Sequence, residues 1–489
     1  MKRIFSLFLA LAMCAMIFSG CNKDNDKSVD GKLKSVPLTW YMVGDAQQDG
    51  NLVYGEANKI IQSKLQTTVN FNIIDFGNYD QKMKIILASN DEFDICFTSN
   101  WLNNYFQNTQ KGAYLPVDDL LTQYAPKLKA SIPEKYWDAI KVGGKLYGVI
   151  NQQIMARSSA VWFTEEFVNK YHFDYKSVKQ LSDIEPYLEM VHKDYPELNY
   201  TGDLWNEFAS SYGFEEFIGD GIPGAIYFGK SGTPVVVNQY ESDEWLDYIN
   251  MRRKWQKLGY TQPNLISLQE LRDSSGKARR RVSWNSMTTY KPGGAAEVSN
   301  ILELDILEQR LSTPLLTTNG VAATLNAISA TSKNPERAMM LLELINTDKE
   351  LYNLLSFGIK DKHYTMLGDN KIKLGPEDKK YLGLNWSVGN VYNSFVMEGQ
   401  PDDVWEQTEA LNDSAEISPL LGFSPEHENV KVQISNCQSV ISEFKSTLEQ
   451  GIGDPAEVQA KFIEKLKLAG VDKVIDEMQN QINIWYANK

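Results

Sequence analysis

Three stretches of this chain place amides, a carboxylate and an indole just past short apolar runs. Asp45 and Gln47 follow Leu38 to Val43, Asn100 and Trp101 follow Phe93 to Thr98, and Asn151, Gln152 and Gln153 follow Leu146 to Ile150. Asp, Asn and Gln can bond neighbouring hydroxyls in pairs, and an indole covers the CH-rich face of a sugar-like ring. Open α/β sheets bind ligands beyond the carboxyl ends of their strands. The pattern therefore points to capture of a neutral polyhydroxyl molecule. Two bland readings stand beside it: Asp45 as the cap of the next helix, and Trp101 as a packing aromatic. The chain is rich in rings, with 11 Trp, 24 Tyr and 20 Phe, enough for both uses.

Signals for covalent, metal or nucleotide chemistry are missing from the sequence. There is no HExxH, paired CxxC or GxSxG, and the four histidines, at 172, 192, 363 and 427, are not at ligand spacing. No metal, cofactor or catalytic residue is expected. Adjacent carboxylates such as Asp118/Asp119, Glu165/Glu166, Glu215/Glu216 and Asp402/Asp403 read as solvated faces, because glycosidase acids must face each other across a cleft. The run Gly224 to Ser231 matches a phosphate-binding loop, but Pro234 to Val237 then lead into a strand rather than a helix.

The elements that must position these residues follow from periodicity. Leu38–Val43 reads as a strand, 55–65 as a helix, Thr67–Ile74 as a strand rich in β-branched residues, 79–88 as a helix, and Phe93–Thr98 as a short apolar strand. Strand–helix alternation with short connections implies a parallel sheet. Further strands are expected at 146–150 and 158–163. Asn334-Pro335-Glu336 has the order of a helix start, and Ala338, Leu341, Leu342 and Ile345 make one apolar stripe. A last helix is expected over 472–486, with Val474, Met478, Ile482 and Trp485 on one face.

The N-terminus carries Lys2 and Arg3, an apolar body from Ile4 to Phe18, and the run Ser19-Gly20-Cys21. That is the layout of a cleaved export signal, and small residues before a cysteine resemble a bacterial lipobox, which implies acylation of Cys21. Residues 1–20 are then the signal and 21–35 a polar tether. Cys96 sits in an apolar run and reads as a core residue, and it and Cys437 are too few for a disulfide scaffold. The formal charge is −14, and loss of Lys2 and Arg3 makes it more negative. An acidic surface disfavours nucleic acid and docking onto anionic lipid.

Longer segments are similar to a known family: DEFDICFTSNW (91–101), KGAYLPVDDLL (111–121), GGKLYGV (143–149), TSKNPERAMMLLELINTDKELYNLLSFGI (331–359), KHYTM (362–366), LLGFSPE (420–426), VKVQISNCQSVISEF (430–444) and KLKLAGVDKVIDEMQNQINIW (465–485). They resemble the extracellular solute-binding lipoproteins of bacterial ABC importers, of the sugar-binding type with an extended C-terminal region. The resemblance implies an α/β clamshell of two lobes, each a mainly parallel sheet flanked by helices, closing over ligand by a hinge. It implies one lobe from 36–150 with 290–347 and another from 151–289 with 348–489. It implies ligand contacts at Asp45, Gln47, Asn100, Trp101, Gln152, Arg157, Trp205, Trp284, Tyr290 and Trp386, with His363 either structural or in contact. Partners implied are an oligosaccharide, of plant origin in many relatives, and membrane permease subunits. A monomer anchored only by lipid on the extracellular face is expected, with no enzymatic activity. A surface-anchored glycosidase or lyase, or a ligand-sensing subunit, are the alternatives.

Overall fold

The computed structural model describes residues 34–196, 208–209, 211–219, 221–227, 234–260, 283–286, 290–302, 304–375, 377–449 and 452–488. Cys21, the tether up to residue 33, Trp205 and Arg279 to Arg281 lie outside these residues.

The first body is built as the periodicity dictates. Strand β1 (Val36–Val43) pairs in parallel with β2 (Thr67–Ile74) over its whole length and with β3 (Ile95–Thr98) at Trp40 and Tyr41. Helix α1 (Gly50–Leu65) buries Val53, Ala57 and Ile61, spaced four apart so that they share one face. Helix α2 (Phe76–Ser89) is capped by Asp75, whose side chain accepts from Asn78 N, and ends at Asn90 in the left-handed region. Two later strands complete a five-stranded sheet in the order β2, β1, β3, Leu325–Ile328, Val149–Ile150. Leu325–Ile328 runs antiparallel to β3. The parallel strands all end at one edge, so a chain that re-enters the sheet from that edge must run the other way.

The sheets are therefore mixed rather than mainly parallel. In the second body Ala160–Thr164 lies between Ser283–Ser286 and Ile306–Arg310, both antiparallel to it. Phe214–Glu216, Ala225–Tyr227 and Val236–Val237 form a second antiparallel sheet. The second core joins Phe163, Tyr187, Trp245 and Trp255 to Cys437, Phe462, Leu466 and Val471 of the C-terminal helices. A smaller core packs Phe217 and Ile226 against Leu420, Val474, Met478 and Ile482. The expected last helix is there, Val471–Ala487, with Val474, Met478 and Ile482 buried.

Packing moves the expected segment boundaries at two places. Ile306–Arg310 belongs to the second body's sheet, so the return to the first body falls after Arg310. Beyond residue 348 the chain does not pass to the second body at once: Leu351, Tyr352, Leu355 and Val388 are in the first core. The reason is the helix Pro335–Thr347, which buries Ala338, Leu341, Leu342 and Ile345 as expected and is followed directly by Lys349–Phe357. Asn334 precedes the first of these helices but its side chain makes no capping bond.

Three connecting segments meet in one small sheet. Leu315–Leu316 pairs with Ala156–Arg157 on one side and with Glu416–Ile417 on the other. Asn412 braces the same place: its Oδ1 accepts from Met155 N and Ala156 N at 2.8 and 3.0 Å, and its Nδ2 donates to Gln153 O at 2.8 Å. These three connecting segments are thus tied to one another.

Candidate ligand-binding site

The carboxyl ends of β2 and β3 carry the rings of a shared wall. Phe76 opens α2 directly after the Asp75 cap, and its ring stacks on that of Trp101 with centroids 6.3 Å apart. Trp386, on the short turn Asn385–Ser387, lies 6.3 Å from both Phe76 and Trp101. Phe97 backs them at 6.1 and 6.0 Å. Trp101 is 41% and Phe76 39% exposed, whereas Phe97 is buried. The indole of Trp101 is held in place, its Nε1 donating to Ala323 O at 2.9 Å. Large apolar faces left open on a fixed base are suited to a ring-shaped ligand.

Polar groups border this wall. Oδ1 of Asn100 is buried and, among the described residues, has no hydrogen-bond partner. A buried acceptor without a donor is costly, about 1–3 kcal/mol, unless something supplies one. A small pocket beside Trp386 is lined by Gln153, Asn385 and Trp405, and also by Lys291, Pro292 and Glu297 from the segment leading to the second body's sheet. Trp386 of the wall thus shares a pocket with the segment that leads to the second body's sheet.

Behind Lys291 lies a polar row on the second body's sheet. Trp162 and Glu308 are directly opposite on paired strands, and Trp162 Nε1 donates to Glu308 Oε1 at 2.8 Å. Burial pushes the Glu308 carboxyl up to about 7, against the opposing pull of the Trp162 bond and the Lys291 charge. Lys291 pairs with Glu297 at 2.5 Å, and Arg310 sits 5.5 Å from the centre of the Tyr290 ring. Burial first, and then Glu308, raises the Tyr290 hydroxyl.

The residues expected from sequence fall into distinct places. Trp101 and Trp386 are in the wall, Asn100 is beside it, and Tyr290 is in the polar row. Asp45 is exposed on the loop after β1. Gln47 spends its side chain on that loop, accepting from Leu382 N and donating to Asp45 O, both at 3.0 Å. Gln152 differs from the expectation: it is buried, and its amide donates to Ser131 Oγ at 2.9 Å, so it joins two segments of the first body. Gln153, one residue on, lines the pocket instead, because side chains alternate along extended chain. Arg157 is half-buried on the connecting sheet. Trp284 sits opposite Trp162 in the strand pairing, its side chain being outside the described set. His363 is fully buried, takes the Ile359 N–H on Nδ1 at 2.9 Å and faces Asp49 with Nε2, which makes it structural. Phe76, Trp162 and Glu308 were missed. Phe76 was open to detection by the strand-end rule applied to β2; the other two needed the strand register.

Among the described residues no group of histidine, cysteine and carboxylate side chains could hold a metal ion, and no helix is long and apolar enough to cross a membrane. Cys96 is buried with its thiol pushed up to about 12 by desolvation, as a core residue should be.

Known proteins resemble this chain over nearly its whole length. The chain is 27% identical over 494 residues to a carbohydrate ABC transporter substrate-binding protein of Streptococcus pneumoniae serotype 4, covering 99% of this chain and 97% of that protein. The crystal structure of the N-glycan transport solute-binding protein NgtS from Streptococcus pneumoniae superposes with a TM-score of 0.83 at 26% identity, covering 92% of this chain and 99% of that one. The chain is similar over nearly its whole length to solute-binding proteins of ABC importers. Its fold is the two-lobed α/β clamshell of those structures. Residues 419–487 match a domain of unknown function, DUF3502, which includes the helix Val471–Ala487. The structure of NgtS with Man5GlcNAc superposes less closely, at a TM-score of 0.76 with 26% identity over 93% of this chain and 99% of that one. A solute-binding protein from Bifidobacterium longum subsp. infantis shares the fold at a TM-score of 0.61 and 14% identity, over 94% and 99% of the two chains.

Proposed function

We propose that this solute-binding protein captures a neutral oligosaccharide between its lobes and delivers it to membrane permease subunits. The observation that carries this reading is the half-exposed wall of Phe76, Trp101 and Trp386, whose Trp386 shares a pocket with Lys291 and Glu297 on the segment leading to the second body's sheet. Closure would lay sugar rings on the indoles and bring hydroxyls to Asn100 Oδ1 and Gln153. Burying those hydroxyls without partners would be unfavourable, so the amides supply orientation as well as affinity.

The ligand class is supported by the relatives. NgtS is named for N-glycan transport and has been crystallised with Man1GlcNAc and Man5GlcNAc, which makes mannose–GlcNAc oligosaccharides the first probes and plant-derived oligosaccharides the second. The decline in TM-score from 0.83 to 0.76 between two structures of one relative, at equal identity, fits lobes that change their relative position on binding. Lipid on Cys21 would hold a monomer at the extracellular face of the membrane, with a second acyl chain needed for stable anchoring. Cys21→Ala should then move the protein from the membrane to the soluble fraction. The enzyme alternative loses ground because the relatives are named as binding proteins of transporters.

Calorimetric titration of the purified protein against both sugar panels, with chromatography of the mixture, tests the reading. Saturable binding with sugar recovered unchanged supports it. Cleaved sugar, or no binding to either panel, overturns it.

A further inference from the structure

The row of side chains on the second lobe's sheet bears on a question that the aromatic wall leaves open, namely whether the sugar carries charge. Trp162 and Glu308 are cross-strand partners, so their side chains leave the same face of the sheet, and Arg310 follows two residues on from Glu308 on that face. The opposite face, with Val161 and Phe163, is core. Lys291, whose charge acts on Glu308, lines the pocket that also holds Trp386 and Gln153. The row thus stands next to the place where the lobes meet.

We infer that Glu308, held by Trp162, is a specificity-determining residue that restricts the site to uncharged oligosaccharides. This rests on the oligosaccharide reading above. The charges of the row are balanced: Lys291 and Arg310 against Glu297 and Glu308. Lys291 is spent on Glu297, and Arg310 lies over the Tyr290 ring. Above about pH 7, where Glu308 is ionised, the row holds no net positive charge for an acidic sugar, and a carboxylate approaching Glu308 in a half-buried site meets like charge. The raised carboxyl of Glu308 agrees with this, since the same surroundings that disfavour its own negative charge disfavour a second one. A neutral sugar meets no such penalty and gains an acceptor for its hydroxyls, aimed by the Trp162 indole.

The test uses Man5GlcNAc and a matched mannose–GlcNAc oligosaccharide bearing one sialic acid, titrated at about pH 8, where Glu308 is ionised, into wild type, Glu308→Gln and Trp162→Phe, with thermal melts to show that each is folded. Wild type should prefer the neutral sugar by about tenfold or more. Glu308→Gln keeps the shape but leaves one positive charge in excess, so it should bind the neutral sugar within a few-fold of wild type and gain about tenfold for the acidic one. Trp162→Phe, with the indole bond gone, should weaken neutral binding and narrow the preference. An unchanged neutral-to-acidic ratio in Glu308→Gln overturns this inference while leaving the oligosaccharide reading intact. Absence of binding by wild type to either sugar overturns this inference, while the oligosaccharide reading is then decided by the plant-derived panel.

Discussion

Nε2 of His363 lies 3.1 Å from Oδ2 of Asp49, a contact between residues 314 apart in sequence. Because Nδ1 of the same ring accepts the Ile359 N–H, the proton must sit on Nε2 and is donated to Asp49. Asp49 also takes Lys362 at 2.9 Å, and its backbone N–H donates to Lys380 O at 3.0 Å. Together with the bond from Leu382 N to Gln47, these fix the loop after β1 to the segment 359–382. The Lys362 bond, and then His363, hold the Asp49 carboxyl below its usual range.

Replacing His363 should loosen that loop without touching the aromatic wall. His363→Ala is expected to cost about 1–3 kcal/mol, the penalty of a buried side chain removed with its two partners left unmet. Denaturant melts measure the loss, and titration with bound sugar should show affinity falling by less than the ring substitutions below. A variant as stable as wild type would show that the contact is incidental.

The aromatic wall predicts a split between affinity and stability. Trp101→Ala and Phe76→Ala remove half-exposed rings, so the melting temperature should move little. Affinity for the oligosaccharide should fall by about 2–4 kcal/mol for Trp101, the range of a central aromatic contact. Trp245→Ala is the control. That indole is fully buried and donates to Gln459 Oε1 at 2.9 Å, so its loss should destabilise by about 3–5 kcal/mol. Equal affinity for wild type and Trp101→Ala would remove the wall from the site.

Much of the first lobe was legible because its elements are local. The helical spacing within 55–65 and 79–88 and the β-branched run of β2 each act within a few residues. The stripe of Pro335–Thr347 was legible for the same reason. Trp101 and Trp386 could be singled out as exposed-ring candidates, but only the folded chain brings residues 76, 101 and 386 together. Gln152 failed because one residue of register decides whether a side chain enters a pocket or the core. The Trp162–Glu308 bond depends on an antiparallel pairing across 146 residues, which no short-range pattern encodes. The expected second-lobe segment 348–489 begins with residues that pack in the first core, Leu351, Tyr352, Leu355 and Val388, because Lys349–Phe357 follows directly on the helix Pro335–Thr347.

Arg337 ties the first lobe's rear edge together. It is 1% exposed, and its Nη1 donates to Leu65 O at 2.7 Å, Thr67 Oγ1 at 2.8 Å and Lys34 O at 3.0 Å. Leu65 is the last residue of α1, whose final carbonyls have no partner within the helix. Arg337→Met keeps the stem but removes the guanidinium donor from Leu65 O, Thr67 Oγ1 and Lys34 O. It should lower stability by about 2–4 kcal/mol, measured by urea denaturation. Sugar affinity of the folded fraction should be unchanged, because the site is at the opposite ends of the strands.

Glu215 makes stability depend on pH. It lies on the strand Phe214–Glu216, and Ser418 Oγ donates to its Oε2 at 2.5 Å, just ahead of the matched region that starts at 419. Burial pushes the carboxyl up to about 7, with Ser418 opposing. In the unfolded chain it titrates near 4.5. Below that pH both states hold the proton and the stability is fully present. Between about 4.5 and about 7 only the folded state holds it, so the unfolding free energy falls as pH rises, by about 3 kcal/mol in all. Above 7 the loss is complete. Glu308 has the same direction and window and adds its own share. Glu215→Gln keeps an acceptor for Ser418 and cannot ionise. It should match wild type at pH 4.5, exceed it at pH 8 and show a shallower slope between, read from urea melts at half-unit intervals. A wild-type stability that climbs from pH 4.5 to 7, with Glu215→Gln parallel to it, would mean that Glu215 is ionised in the folded protein.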